Sequence, residues 1–313
     1  RRPGEEVVER IVSLLPSTTE AVFALGSGPL LVGRSHECDI PAPASHAPVL
    51  TSPRIDVEAS SATIDREVRS LVERALSIYR VDVELLRELR PDVILTQTQC
   101  EVCAVTPRDL EEALEEWVGV RPSVVSVEPA RLDDIFRDVE RIGAAIGVAS
   151  RGAALGAELR SRLSRLKLGS ERLPRPRVAA IEWIEPLMAG GNWMPELIVA
   201  AGGDPALGKA GEHSDWINLE DLATADPDVI LLMPCGFTIE RTRRELAPLV
   251  EHPGFGRLRS VREKRVYLLD GNRHFNRPGP RILESLEILL EVIHPGRYGF
   301  GHEGVAWEPL PES

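Results

Sequence analysis

Ser150-Arg-Gly-Ala-Ala-Leu-Gly-Ala-Glu-Leu-Arg-Ser-Arg-Leu-Ser-Arg-Leu-Lys167 is the stretch on which the fold turns. Ala153, Leu159, Leu163 and Leu166 recur at helical spacing. Arg160, Arg162, Arg165 and Lys167 gather toward the end where the helix dipole favours cations. Pro174 and Pro176 stop the pattern. Upstream, Leu132, Ile135, Phe136, Val139, Ile142 and Ile146 mark a preceding helix, which Gly147 can close, and Ser150 can cap the next one. Periodicity alone would equally fit an ordinary α/β crossover helix. The flanking sequence favours a strut between two lobes.

Before the strut stands Pro91-Asp-Val-Ile-Leu95, and after it Pro227-Asp-Val-Ile-Leu231. Each follows a short helical pattern (Leu85 to Leu89; Leu219 to Leu222). Each is a short apolar run, as a buried parallel strand requires, and each is followed by a cysteine, Cys100 and Cys235. The same flanks in both halves predict an α/β protein of two Rossmann-like lobes with parallel-rich sheets, joined by a single long α-helix. The expected boundaries are 1–129 for the first lobe, 130–173 for a helical segment with the linking helix at about 150–168, 174–297 for the second lobe, and 298–313 for a C-terminal extension without clear pattern.

A chain of 313 residues can give each lobe a core, and 43% hydrophobic content is that of a globular protein. A net charge of −12 argues against nucleic acid or an anionic membrane as partner. No apolar run is long enough to span a bilayer. Arg1 to Arg10 is polar and reads as neither an initiator methionine nor a signal peptide. Four cysteines in a chain this long do not make a disulfide framework.

In order along the chain, strands are predicted at Arg10–Leu15, Leu31–Gly33, Val93–Leu95, Val124–Val127, Arg177–Glu182, Val229–Leu231 and Arg265–Asp270. Pro16-Ser17-Thr18-Thr19-Glu20 opens a helix. Pro41, Pro43, Pro48 and Pro53 make 40–56 an irregular loop, 64–79 reads as a charged solvated helix, and a last helix runs from Ile282 to Ile293.

Ligands in open parallel sheets collect beyond the carboxyl ends of the strands, and the unusual residues stand there. His36, Glu37 and Cys38 follow the second strand. Cys100 and Cys103 follow the first repeat strand. Trp183 and Trp193 follow the strand that opens the second lobe, and Cys235 follows the second repeat strand. Arg273, His274, Phe275, Asn276 and Arg277 follow the last. Cys100-x-x-Cys103 has the spacing of a metal knuckle or a redox pair, and Cys38 and Cys235 could join it around Zn²⁺ or iron, helped by His36, His213 or His274; buried core cysteines are the plain alternative. Trp193 and Trp216 can be core or the wall of a flat ligand. Pro16, Ser17 and His213 complete the candidate set. Gly-rich phosphate loops and hydrolase signatures are absent from the sequence.

Arg10-Ile-Val-Ser-Leu-Leu-Pro-Ser-Thr-Thr-Glu20 resembles the opening of the strut-linked substrate-binding proteins of ABC importers, a strand followed by Pro-Ser-x-Thr-Glu and a helix. Glu37-Cys-Asp-Ile-Pro41 is similar to the Asp-Tyr-Pro turn of the vitamin B12-binding members, and Leu89-Arg-Pro-Asp-Val-Ile-Leu95 to one of their strands. Ala201-Gly-Gly203 and Pro280-Arg281 also have counterparts, so the resemblance spans roughly Arg10 to Pro295. It implies a class III periplasmic-binding-protein-like fold, no catalysis, a cobalamin or other corrinoid held between the lobes, and an ABC transporter permease as partner of a monomer. It also implies that Glu37 stands where a ligand-contacting tyrosine stands, and that Arg273 to Arg277 matches a corrinoid-contacting loop. Glu37 in place of tyrosine, the longer segment from Ala42 to Asp82, and the four cysteines depart from the pattern. An importer component would be periplasmic or extracytoplasmic, whereas a chain without an export signal would be cytoplasmic.

Overall fold

A computed structural model describes residues 8–73, 78–97, 110, 114 and 121–311. The chain divides into two compact units. One holds residues up to 59, 66–129 and 133–159, and the other holds 60–65, 130–132 and 160–313.

The first unit is built on strands β1 (Ile11–Ser13), β2 (Leu31–Arg34), β5 (Val93–Gln97) and β6 (Ser123–Val127), in the order β2-β1-β5-β6 with every pair parallel. The Pro-Asp-Val-Ile-Leu repeat thus lies inside the sheet, where β5 is buried along its whole length. Helix α1 (Pro16–Ala24) follows β1. Beneath the sheet Val12, Leu14, Leu50, Leu86 and Ile94 form the apolar core. Two features depart from the sequence reading. Helix α2 (Ser61–Glu73) ends earlier than expected, and Tyr79 opens strand β4 (Tyr79–Val81) instead. The partner of β4 is β3 (Thr51–Pro53), antiparallel, inside the stretch read as irregular. Buried Ile78 and Tyr79 explain the change: they pack into the apolar core rather than on a solvated helix face. Helix α3 (Val83–Leu89) then leads to β5, capped by the Asp82 side chain on the Leu85 N–H.

Helix α4 (Leu132–Ala145) ends as its composition foretold, with Gly147 at φ +77°. Helix α5 (Ala149–Ser170) begins one residue before Ser150 and runs for 22 residues, about 33 Å at 1.5 Å per residue. The division between the two units falls within it, at Leu159 and Arg160. Its first turns pack on α4 at near backbone contact: a Cβ on Gly143 would lie 2.8 Å from the Gly152 Cα. Glycine at position 143 permits that approach, and a Cβ on Gly152 would sit tightly, 3.1 Å from the Gly143 Cα.

In the second unit β7 (Arg177–Trp183), β10 (Val229–Leu232) and β11 (Val266–Leu269) are parallel neighbours. The second repeat is therefore the middle strand of a sheet separate from the first. Short β8 (Met188–Ala189) lies antiparallel on β7, and β9 (Asp204–Pro205) pairs with β7 as well. The helices are α6 (Met194–Ala200), α7 (Leu219–Ala225), α8 (Ile239–Glu245), α9 (Ala247–Val250), α10 (Arg259–Arg262) and α11 (Ile282–Ile293). Ile181, Ile230, Leu232, Phe255 and Leu268 centre the core. The tail after Tyr298 is ordered: β12 (Trp307–Pro309) runs antiparallel to β11 and covers its edge. The fold is the expected α/β architecture with parallel sheets.

Candidate ligand-binding site

Each sheet carries its polar and aromatic residues where its strands end, and each unit is taken by itself. In the first, β1 ends in Ser13, whose hydroxyl starts a buried chain of small polar groups. Ser13 Oγ lies 2.7 Å from Thr18 Oγ1 and 2.7 Å from Thr19 Oγ1. Thr19 Oγ1 is in turn 3.0 Å from Cys38 Sγ. Cys38 has no exposed surface. Its thiol belongs to this enclosed hydroxyl cluster, which is the core alternative rather than a ligand facing outward. Pro16 opens α1, and Ser17 in its first turn is buried with a hydroxyl that meets no partner.

His36 follows β2. Its Nδ1 is 2.7 Å from Thr51 Oγ1, whose hydroxyl donates to Ser35 Oγ, and its ring leans on Tyr79 at 5.3 Å. Burial, and then the Arg34 charge, hold its pKa below the ordinary imidazole value. Glu37 is exposed and accepts from the Tyr79 hydroxyl at 3.1 Å. The phenol of β4 therefore stands at the glutamate that takes the expected tyrosine's place. Cys100 and Cys103 lie outside the described residues.

The second unit gathers more of the predicted set. Trp183 ends β7, is 9% exposed, and tilts against Phe237 at 5.2 Å. Its indole N–H is buried and meets no acceptor among the described residues. Such a donor normally costs about 1–3 kcal/mol, so it marks a place where something outside the chain is expected to accept. Arg241 lies over the other partner, 3.9 Å from the Phe237 ring centre. Beyond β10, the Cys235 thiol is half-buried and 3.3 Å from Asn276 Oδ1. Beyond β11 the chain makes a wide π-helical turn, Gly271–Phe275, a form that recurs at functional sites. Gly271 is required there: a Cβ would collide with the carbonyl oxygens of Met233 and Pro234.

The turn is held from several sides. Asp270 accepts from the Arg273 N–H at 2.8 Å, and the Asn276 amide donates to the Gly271 carbonyl at 2.9 Å. Arg277, though 5% exposed, donates to Asn272 Oδ1 at 3.1 Å, and Ser285 of α11 donates to the His274 carbonyl at 2.7 Å. Arg273 is exposed and Phe275 fully buried. His274 has a pKa lowered to about 4 by burial and by the charges of Arg281, His302, Arg273 and Arg277, so it is neutral at physiological pH. Its Nδ1 is buried without a hydrogen bond, 3.6 Å from a Glu284 oxygen.

Trp193 takes the core position: it is 8% exposed and donates its indole N–H to the Phe275 carbonyl at 3.3 Å. It braces the turn from behind. Trp216 is 53% exposed, and His213 is exposed with Nδ1 3.0 Å from the Ser214 carbonyl. Among the described residues no group of three or more His, Cys, Asp or Glu could hold a metal ion.

One buried acid was not among the expected residues. Glu182, the penultimate residue of β7, is 7% exposed and accepts from Ser214 Oγ at 2.6 Å, while the Gly191 N–H donates to that same hydroxyl at 3.1 Å. Burial raises its pKa to about 7, against the pull of the Ser214 bond and of His213. The signal was present in the sequence as a charge closing the apolar run Val178-Ala-Ala-Ile181.

Two surface grooves compete with this region. One of about 520 Å³ is lined by Arg10, Phe23, Leu31 and Leu89, and one of about 230 Å³ by Pro176, Arg265, Ile293 and His294. Arg10 precedes β1, Leu31 opens β2, Pro176 precedes β7 and Arg265 precedes β11. Both grooves thus begin where strands enter, the end opposite to the one that open parallel sheets use for ligands.

Both units are α/β with parallel sheets whose strands end in aromatic rings and polar turns. The sequence profile of the periplasmic binding protein family matches residues 11–272, and the chain belongs to that family. It is a solute-binding protein of the kind that serves ABC transporters, not an enzyme. Over 302 residues it is 24% identical to the ABC transporter substrate-binding lipoprotein YvrC of Bacillus subtilis (strain 168), covering 93% of this chain and 81% of that one. It is 22% identical to the vitamin B12-binding protein of Vibrio parahaemolyticus over 291 residues, covering 92% and 90%. Its fold is similar to that of a periplasmic heme-binding protein from Pseudomonas aeruginosa, with a TM-score of 0.69, 22% identity and coverage of 92% and 94%. No helix among the described residues is long and apolar enough to cross a membrane.

Proposed function

We propose that this protein captures a corrinoid or a related metal chelate and presents it to an ABC transporter permease. The observation that carries the reading is the buried Trp183 indole N–H that meets no acceptor among the described residues, at the strand ends that also carry the Gly271–Phe275 turn. A planar chelate is large and partly apolar. Aromatic side chains give it contact area, while amide and guanidinium groups such as those of Asn272 and exposed Arg273 meet its polar rim. A relative is named for vitamin B12 and a protein of similar fold for heme, which supports the chelate class and leaves its member to measurement.

The test is a calorimetric screen of the full chain against cyanocobalamin, dicyanocobinamide, haemin and a ferric siderophore, with metal content measured on the same sample. One of them binding one-to-one with a sub-micromolar Kd, about −8 kcal/mol or better, is the expected result. A folded sample that gives heat with none of them would overturn the reading. Stoichiometric zinc, or iron without the visible spectrum of a haem or ferric siderophore, in protein purified without chelator would favour a metal centre at the cysteines instead.

A further inference from the structure

The tail that follows α11 is anchored more elaborately than an edge-covering strand needs. Buried Glu291 of α11 receives the N–H groups of Phe300, Gly301 and His302 on one oxygen and the Trp307 indole, at 2.7 Å, on the other. Burial alone would raise its pKa, but these donors, the indole first, hold it below the usual carboxylate value, so the anchor is a charged one. From there the tail runs straight to the base of the candidate ligand turn. The Asp270 N–H donates to the Ala306 carbonyl at 2.9 Å, and Leu269 faces Trp307 across the strand pair. Asp270 is the residue that caps the Gly271–Phe275 turn.

A second contact reaches the turn from its other side. A ladder of rings climbs the tail: Tyr298 stacks on Phe300 at 5.8 Å, Phe300 meets His302 at 6.5 Å, and the His302 edge meets the His274 ring at 6.3 Å. His302 is itself steadied by Glu287, 3.4 Å away, and Glu287 is paired with Arg162 at 2.6 Å. His274 lacks a hydrogen bond at Nδ1, so among these contacts its ring position depends on packing more than on polar bonds.

We propose that residues 298–310 form a strap that sets the position of the Gly271–Phe275 turn, with His302 as the positioning residue that acts through the His274 ring. The strap stands on the geometry above, and its consequence for affinity rests on the reading of that turn as a ligand loop. A strap that only covered the β11 edge would need the β12 pairing and not the ring ladder.

The test compares wild type with H302A and H302F by hydrogen exchange of the amides in 271–276, with melting midpoints measured alongside. The strap predicts that H302A speeds exchange in the turn about tenfold or more with little change in α11 or in the midpoint, and that H302F, which keeps a ring against His274, restores the slow rate. Unchanged turn exchange in H302A overturns the proposal. Equal loosening in H302A and H302F also overturns it, because the Glu287 pair and not the ring would then be responsible. If H302A fails to fold, H302F against His302→Gln gives the same comparison. In titrations with cyanocobalamin and haemin, H302A is expected to weaken whichever binds by about tenfold, with H302F close to wild type. Faster turn exchange in a protein that binds none of the four chelates screened above supports the strap while refuting the ligand reading.

Discussion

Replacing Glu182 by Gln should change how stability depends on pH. In the folded chain burial holds the carboxyl at about 7, against its ordinary 4.5. The folded state therefore holds the proton more tightly than the unfolded state between those values, and stability from this group is greatest below about 4.5, falls as pH rises to about 7, and is level above. The full difference is about 3 kcal/mol, and most of it falls between pH 5 and pH 8. Gln keeps the acceptor for Ser214 Oγ and never ionises, so the variant lacks that slope. Its new amide hydrogens have to find acceptors at a cost of about 1 kcal/mol, which leaves the variant close to wild type at pH 5 and more stable at pH 8. Urea unfolding of both proteins at the two pH values is the assay. The stability of E182Q relative to wild type is expected to rise by about 2–3 kcal/mol from pH 5 to pH 8. A change under about 0.5 kcal/mol would refute it, because Glu182 would then ionise alike in the folded and unfolded chain.

Three further outcomes are expected. Gly143→Ala should lower stability by about 1–3 kcal/mol by forcing α4 and α5 apart, seen as a lower urea midpoint; an unchanged midpoint would mean the helices separate at no cost. Trp183→Phe removes a buried donor that has no partner, so the ligand-free protein should melt no lower than wild type while chelate affinity drops about tenfold, and retained affinity would take the indole N–H out of the site. Trp193→Ala should destabilise the chain by about 3–5 kcal/mol, because this ring is packed behind the turn, and a stable variant that merely binds less well would move it to the ligand wall.

Much of the fold was legible because its determinants are local. The Val-Ile-Leu parts of the two repeats are apolar and became inner strands, α11 follows its helical stripe from Ile282 to Ile293, and Gly147 closes α4. What was missed depends on partners far away in sequence. β3 is three residues long and contains a proline, and it exists because Tyr79–Val81 pairs with it. β12 forms because Glu291 collects the tail. The site was legible as a set of strand ends and not as a set of roles. His274, Asn276 and Arg277 do share one turn, but sequence spacing could not tell that Trp193 faces the core, that Cys38 joins a hydroxyl cluster, or that Glu182 is buried against Ser214.

The central claim is that a metal chelate is the cargo. Equilibrium dialysis tests it most directly: the full chain on one side of the membrane, with an equimolar mixture of cyanocobalamin, haemin and a ferric hydroxamate siderophore free to cross, and the visible spectrum read on both sides. The account predicts that one of the three is enriched on the protein side to one molecule per chain. Equal spectra on both sides, with the protein folded throughout, would contradict it.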